Sequence, residues 1–556
     1  MASDLPRVLL LTGGNYHDFD GGAAIIGDAL ADRFDVTHTS NLEELALLAT
    51  GRFEALILYT QGRHDELTDE LAQTMKRFVE RGGGLVGVHS ANASFKNNPA
   101  FLELIGSRFA GHGPVIDFQV RPTDPTHPVV ARTSAFHVTD ELYISEQVSD
   151  FDAFAVAHWR GVDYPMGYQR DVGEGRVVYL ANGHDARSLG NPYFQRWLRR
   201  AVRVAVGERF ESTVNAGILG YGGAFNMGKQ HADMIRAQPG MGVTAVCDLD
   251  PARTAQATEE LGADVATFND MDAFFAEGAF DMVVVILPHD LHADACIRAA
   301  EAGKHAVTEK PFCITLEEAD RMIAAADAAG TMMSCFHNRR WNGDFLQLLT
   351  QVRAGAIGQV FRIDAASGGY AAPRAWWRSS KEISGGAMYD WGAHFMDWTL
   401  NLTNKRIKTV AGDFQKRKWH QMTNEDYTYA LVRFEDDSTA TLEQGQLVAT
   451  PRDPWRVLGT DGGIRATGLN KPLEMVQFDG PTRVESAVPP LPGREHEFYA
   501  NIGNHLIAGE RLVVTAQQAR RVIAAIHLAE QSAAQGGVPL EMPGEADYEP
   551  DYIMPW

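Results

Sequence analysis

Val214-Asn215-Ala216-Gly217-Ile218-Leu219-Gly220-Tyr221-Gly222-Gly223 decides how the middle of this chain is read. The apolar run is a buried strand, and three glycines follow it directly. Glycine there permits a tight turn and lets backbone N–H groups approach a pyrophosphate, while the next helix's N-terminus favours negative charge. The usual third glycine is displaced: position 225 is Phe and the next glycine is Gly228, so the turn is longer than standard. A second strand, 243–247, ends at Asp248. A carboxylate in that place accepts hydrogen bonds from ribose hydroxyls and repels a 2′-phosphate, which favours NAD over NADP. Arg253, close by, is a residue that tolerates a phosphate.

Working outward, strands and helices alternate. Residues 282–287 form a strand stopped by Pro288, 293–302 a helix and 305–308 a strand. A helix at 316–329 and a last strand at 332–336 complete one α/β unit. Upstream the same alternation runs from residue 1 to 208, with strands at 8–11, 55–59, 85–88 and 176–180. It implies a mostly parallel sheet covered on both faces. The pattern restarts at Val214, placing a boundary at 207–213. From 337 strand-like runs follow one another without helices, at 360–366, 427–434, 438–446 and 455–459, which reads as an antiparallel sheet in an α+β domain. The expected domains are therefore 1–208, 213–336 and 337–535, with an irregular tail at 536–556.

At 556 residues the chain exceeds one hydrophobic core. Its 72 acidic against 50 basic side chains give a net charge of −22, which argues against a nucleic-acid partner and an anionic membrane surface. Four cysteines without paired spacing fit a reducing compartment. The apolar run at 8–11 is too short for a signal segment, and no later stretch reaches spanning length, so the expected location is cytoplasmic.

The chemistry concentrates at Glu309-Lys310-Pro311 and at Gly385-Gly386 with Asp390 and His394. An amine at a strand end beside a nucleotide turn, with a carboxylate and an imidazole four apart, is a proton-transfer set suited to hydride chemistry on an alcohol or ketone. On a helix Asp390 and His394 would face the same side. Lys310 stabilises a developing alkoxide, and His394 is the acid/base candidate. Which of the two carries the proton stays open.

These residues, with Leu287-Pro288…His292, Ala302-Gly303-Lys304-His305 and the run from Gly385 through Asp397, resemble the glucose–fructose oxidoreductase, inositol dehydrogenase and rhizopine catabolism (Gfo/Idh/MocA) family over about 213–535. The resemblance implies a Rossmann domain followed by an α+β domain with an open antiparallel sheet. It implies cofactor contacts from Gly220, Gly222, Gly223, Asp248, Pro288, His292, Glu309 and Lys310. Substrate contacts are expected from Arg339, Trp377, Arg378 and Asp390, catalysis from Lys310, Asp390 and His394, and a cis bond at Pro311. A homo-oligomer, dimer or tetramer, is also implied. The expected activity is NAD-dependent oxidation or reduction of a secondary alcohol of a sugar, glycoside or cyclitol. Two alternatives stand beside it: glycoside hydrolysis through transient oxidation, and a non-catalytic sugar-binding sensor or scaffold.

The first part carries Thr12-Gly13-Gly14-x-x-His17-Asp18, Gly82-Gly83-Gly84 through His89-Ser90-Ala91, Gly111-His112, Asp140-Glu141-Leu142-Tyr143, Gly175-Arg176-Val177 and Gly183-His184-Asp185. Over about 5–200 it resembles the trehalose-utilisation (ThuA-like) domain, with a class I glutamine-amidotransferase-like, flavodoxin-like fold. Where amidotransferase relatives hold a nucleophilic cysteine the turn here carries His89-Ser90. No cysteine precedes Cys247, so thiolate amidotransfer is excluded. His17, His89, His112 and His184 follow apparent strand ends, where α/β sites form; a sugar-binding or sugar-processing site is the leading expectation, with an inactive structural or oligomerisation role as the alternative. Their separation in sequence gives no metal-ligand spacing, and no metal is expected.

Overall fold

The computed structural model describes residues 5–62, 66–210, 213–546 and 548, the Asp479 side chain excepted. Two compact units are present, Met1–Ser212 and Thr213–Pro555. Of the tail expected to be irregular, residues 547 and 549–556 lie outside the described residues.

In the first unit, five strands run parallel in the order Asp35–Thr39, Arg7–Gly14, Ala55–Gln61, Gly84–Val88, Gly175–Leu180. Val8, Leu9, Leu10 and Leu11 are all fully buried, as central parallel strands require. Helices Phe19–Leu30, Asp69–Glu80 and Pro192–Ala205 pack on these strands. Each helix opens on a side-chain cap, from Asp18, Thr68 and Asn191 respectively. Beyond Gly175–Leu180 the sheet continues antiparallel through Val162–Val172, Asp152–Trp159, Ser107–Pro122 and Phe136–Gln147. The mostly parallel sheet expected here is thus only half of it. Three of these four strands mix polar with apolar residues along their length, and only Asp152–Trp159 carries a short apolar run, at 153–157.

The carboxyl ends of the parallel strands converge on one edge. Arg7–Gly14 leads to His17 through Gly13 and Gly14, both at φ +123°. A Cβ on Gly14 would lie 1.9 Å from the Gln61 carbonyl oxygen, so only glycine fits. Gly84–Val88 leads directly to His89, which sits at φ +45°, a costly conformation for a side-chain-bearing residue.

The second unit opens on a six-stranded parallel sheet among the described residues. Its order is Ala266–Phe268, Met241–Cys247, Val214–Leu219, Met282–Val285, His305–Thr308, Met333–Cys335. This is the doubly wound arrangement in which direction reverses beside the first strand, leaving a crevice at the carboxyl ends of Val214–Leu219 and Met282–Val285. The mixed sheet that follows is antiparallel except where Val360–Gly368 runs parallel to Thr439–Gly445. That pair departs from the all-antiparallel expectation. Helices Trp391–Thr403 and Ala516–Ala534 pack on this sheet.

Two buried ion pairs tie the unit together. Arg340 donates to Asp397 through Nε at 2.9 Å and Nη2 at 2.6 Å, with the two side chains 1% and 2% exposed. Arg521 donates to Glu545 at 2.7 and 2.9 Å. Leu540–Glu541 pairs with Ile407–Gln415, so the start of the tail is ordered rather than irregular. Among the described residues no helix is long and apolar enough to cross a membrane.

Candidate active site

A cavity of about 1020 Å³ opens at the crevice of the second unit. The glycine turn forms one wall. Gly220, Gly222 and Gly223 have φ of +96°, +68° and +78°. A Cβ on Gly220 would lie 2.2 Å from the Ile286 carbonyl oxygen. The displaced glycine, Gly228, does what the third glycine of such a turn does: a Cβ there would come 2.6 Å from the Tyr221 ring, so its absence lets helix Met227–Arg236 pack closely. Asp248 accepts from the Tyr221 amide at 2.9 Å and from the Asp250 amide at 2.9 Å. Backbone cradle, helix terminus and strand-end carboxylate together fit the pyrophosphate and ribose of a dinucleotide. Arg253 reaches over the turn, its Nη1 2.7 Å from where a Gly222 Cβ would stand.

Across the cavity Lys310 Nζ lies 2.6 Å from Asp390 Oδ1. The Lys310–Pro311 bond is cis. Burial alone would raise the Asp390 carboxyl, but the Lys310 charge holds it below its ordinary value. His394 also lines the cavity and is pushed well below the ordinary imidazole value, first by burial and then by Lys310, His337 and Arg339. It therefore stands neutral, able to accept a proton. Asp390 precedes helix Trp391–Thr403 rather than lying in it. Its side-chain partner is Lys310.

Glu309 accepts from the Lys310 amide at 3.0 Å and meets His231 Nε2 at 3.1 Å, while His231 Nδ1 meets the Tyr499 hydroxyl at 2.6 Å. Pro288 lines the cavity at the start of the turn His289–Leu291. His292 lines the cavity beside Pro288. Its Nδ1 faces the Pro311 carbonyl at 2.8 Å and its Nε2 the Leu287 carbonyl at 2.9 Å. The ring thus sits between the loops that carry Pro288 and Lys310, and in its neutral form donates to one of the two carbonyls.

Arg339, Trp377 and Arg378 all reach the cavity. The Arg339 guanidinium lies 4.7 Å from the Trp391 ring centre. That of Arg378 lies 4.4 Å from Trp377 and 5.5 Å from Phe225, the residue inserted by the lengthened turn. Two histidines, His289 on the cavity wall and His337 buried near His394, were not singled out in sequence. His289 is held by the Ser384 carbonyl at 2.9 Å, with Nε2 lacking a hydrogen-bond partner. His337 is fully enclosed, its ring 6.4 Å from that of His394. Only proximity of His289 to Pro288, and of His337 to Arg339, marked them beforehand.

In the first unit the loops after three strands bring His17, His89 and His184 together, one nitrogen of each within 4.8 Å of the others. His17 Nδ1 faces the His184 carbonyl at 3.1 Å, and His89 Nδ1 faces the Ala181 carbonyl at 2.8 Å. Glu141, not among the expected site residues, lies between them: Oε2 is 3.3 Å from His184 Nδ1 and 3.7 Å from His89 Nε2. His112 stands outside the trio, 3.4 Å from Glu141 Oε1. Asp140 braces the cluster by accepting from the amides of Glu141, Gly183 and His184 at 2.8, 2.9 and 3.1 Å.

The sequence matches the trehalose utilisation (ThuA) family model over residues 7–205. It matches the oxidoreductase family with NAD-binding Rossmann fold over 214–337, and the GFO/IDH/MocA C-terminal domain over 345–465. The uncharacterized oxidoreductase YdgJ of Escherichia coli is 27% identical, covering 58% of this chain and 96% of its own. The scyllo-inositol 2-dehydrogenase (NADP(+)) IolW of Bacillus subtilis is 24% identical over 60% of this chain and 98% of its own. Among solved structures, an NAD-binding protein from Listeria innocua superposes with a TM-score of 0.55 at 25% identity, covering 60% of this chain and 98% of its own.

Proposed function

The chain joins a ThuA domain to the Rossmann and C-terminal domains of a Gfo/Idh/MocA oxidoreductase, and on that footing we propose that its second unit transfers hydride between NAD and a secondary alcohol of a sugar, glycoside or cyclitol. The observation that carries this is the 2.6 Å Lys310–Asp390 contact in the same cavity as the glycine turn and a neutral His394.

The nicotinamide ring, when bound, supplies the acceptor for a hydride from the carbinol carbon. As that C–H bond breaks, the O–H electron pair becomes the second bond of the carbonyl, and the hydroxyl proton passes to the neutral imidazole of His394. Lys310 donates to the same oxygen as negative charge builds on it. Asp390 keeps the ammonium in place and offers its remaining lone pairs to a neighbouring hydroxyl. Arg339 on Trp391 and Arg378 on Trp377 present flat aromatic and guanidinium surfaces suited to a polyol ring. His292 holds the loops of Pro288 and Lys310 in register. Asp248 at the ribose end is the basis for NAD over NADP. The relative named for scyllo-inositol supports a polyhydroxylated substrate.

The parallel order of the first unit is that of flavodoxin-like sheets, and we read that domain as handling a related carbohydrate. The test of the redox assignment is a panel of sugars and cyclitols with NAD, followed by the near-ultraviolet absorbance of reduced nicotinamide. Turnover by the wild type and its loss in Lys310→Ala, with dinucleotide binding kept, is the expected result. A Lys310→Ala protein turning over at the wild-type rate sinks the proposal.

A further inference from the structure

We propose that His17, His89 and His184 of the first unit bind a divalent transition-metal ion, with Glu141 beside it as the carboxylate that takes a proton from a metal-bound water or sugar hydroxyl. The tautomers argue for it. A backbone carbonyl can only accept, so the carbonyls of His184 and Ala181 fix the protons of His17 and His89 on Nδ1. Each Nε2 then presents a bare lone pair. Neither Nε2, nor Nδ1 of His184, has a hydrogen-bond partner among the described residues, although all three atoms are buried. Lone pairs buried and turned toward one another are costly unless a cation stands between them.

Backbone carbonyls behind two of the imidazoles are the usual outer support of metal-binding histidine. Ligand atoms about 2.0–2.1 Å from one zinc ion lie roughly 3.3 Å apart at tetrahedral angles. The three nitrogens lie within 4.8 Å of one another, so an ion between them would draw the rings somewhat closer. Glu141 Oε2 stands 3.3 Å from His184 Nδ1 and 3.7 Å from His89 Nε2, beside that position. His89 is fully buried, whereas His17 and His184 are half-buried. Tetrahedral coordination by three imidazoles leaves a fourth position unfilled. Three imidazoles with one open position make a site for an oxygen ligand, a water or the hydroxyl or carbonyl oxygen of a carbohydrate. The strained φ of His89 and the Asp140 brace hold the ligands in place before any ion arrives.

Metal content tests this independently of the redox chemistry in the second unit. Untagged full-length protein is loaded with Zn²⁺, freed of loose ions on a chelating resin and measured by plasma mass spectrometry. A parallel sample is titrated with Co²⁺ and followed by visible absorption. The expected result is one ion per chain and a Co²⁺ ligand-field band. Metal affinity should fall at least about tenfold in His17→Ala and in His184→Ala, with far-ultraviolet circular dichroism unchanged. Both variants alter half-buried loop residues; the buried His89 is left intact so that folding is preserved. Folded wild type that takes up neither ion overturns the proposal, as does a bound ion that both variants retain at wild-type affinity.

Discussion

The backbone amide of Tyr221 donates to Oδ2 of Asp248 at 2.9 Å. The carboxylate proposed to choose the cofactor therefore also holds the turn that cradles it. Its second oxygen takes the Asp250 amide, so both oxygens are oriented before any ribose hydroxyl arrives. Replacing it by Asp248→Ala should remove hydrogen bonds to a charged acceptor worth about 1.5–3 kcal/mol, roughly ten- to a hundredfold in Kd for NAD. With Arg253 over the turn, affinity for NADP should rise relative to NAD. Fluorescence titration with both dinucleotides checks this; an unchanged preference counts against Asp248 as selector.

Lys310→Met and Asp390→Asn should divide the work of the pair. Removing the ammonium takes away charge stabilisation of the reacting oxygen and should lower kcat about 10²–10³-fold, with dinucleotide Kd nearly unchanged. Asp390→Asn leaves the ammonium without its counter-charge and should cost less. Steady-state kinetics beside cofactor titration reads both.

Proton acceptance by His394 has a signature in pH. Because burial and Lys310 hold it well below 6.5, kcat/KM should not fall on passing pH 6.5 from above. The acid limb should lie below that value. In Lys310→Met it should move back toward the ordinary imidazole value, since one depressing charge is gone. A limb centred at the ordinary value in the wild type contradicts the neutral-base role.

Stability should follow the same groups. His337 is pushed down to about 4, first by burial. Between that value and 6.5 the unfolded chain binds a proton that the folded chain does not, so stability is complete above 6.5 and declines as pH falls toward 4. Calorimetry at about pH 7.5, 6 and 5 should show the second unit's Tm dropping steadily. His337→Gln should make the decline shallower, the likewise depressed His394 and His289 keeping part of it.

Arg340→Met should be among the most damaging changes away from the cavity, because it strands Asp397 as a buried charge. Breaking such a pair typically costs about 3–5 kcal/mol, readable by urea denaturation. Arg340→Lys should rescue little, since the two-point contact needs the planar fork.

Much of the second unit was legible because its strands are continuous apolar runs ended by glycine, proline or acid. Ala266–Phe268, with its polar and exposed surroundings, gave no such run. Arg340, next to Arg339 in sequence, is paired inside with Asp397; adjacency along a chain does not say which of two guanidiniums turns inward. His292 was legible as important but not as a link between two loops, because both its partners are carbonyls, which every residue carries. The histidines of the first unit were visible singly, while Glu141, quoted within a motif, carried no expected role on its strand of mixed burial. Their meeting depends on three loops returning to one sheet edge, a relation without short-range spacing to read.

The clasp between Arg521 and Glu545 bears on how this protein is handled. A chain cut after its last long helix would lose the short strand at Leu540–Glu541 and leave a guanidinium sealed in the interior with no counter-ion. Shortened versions designed to end there should be sticky and poorly soluble.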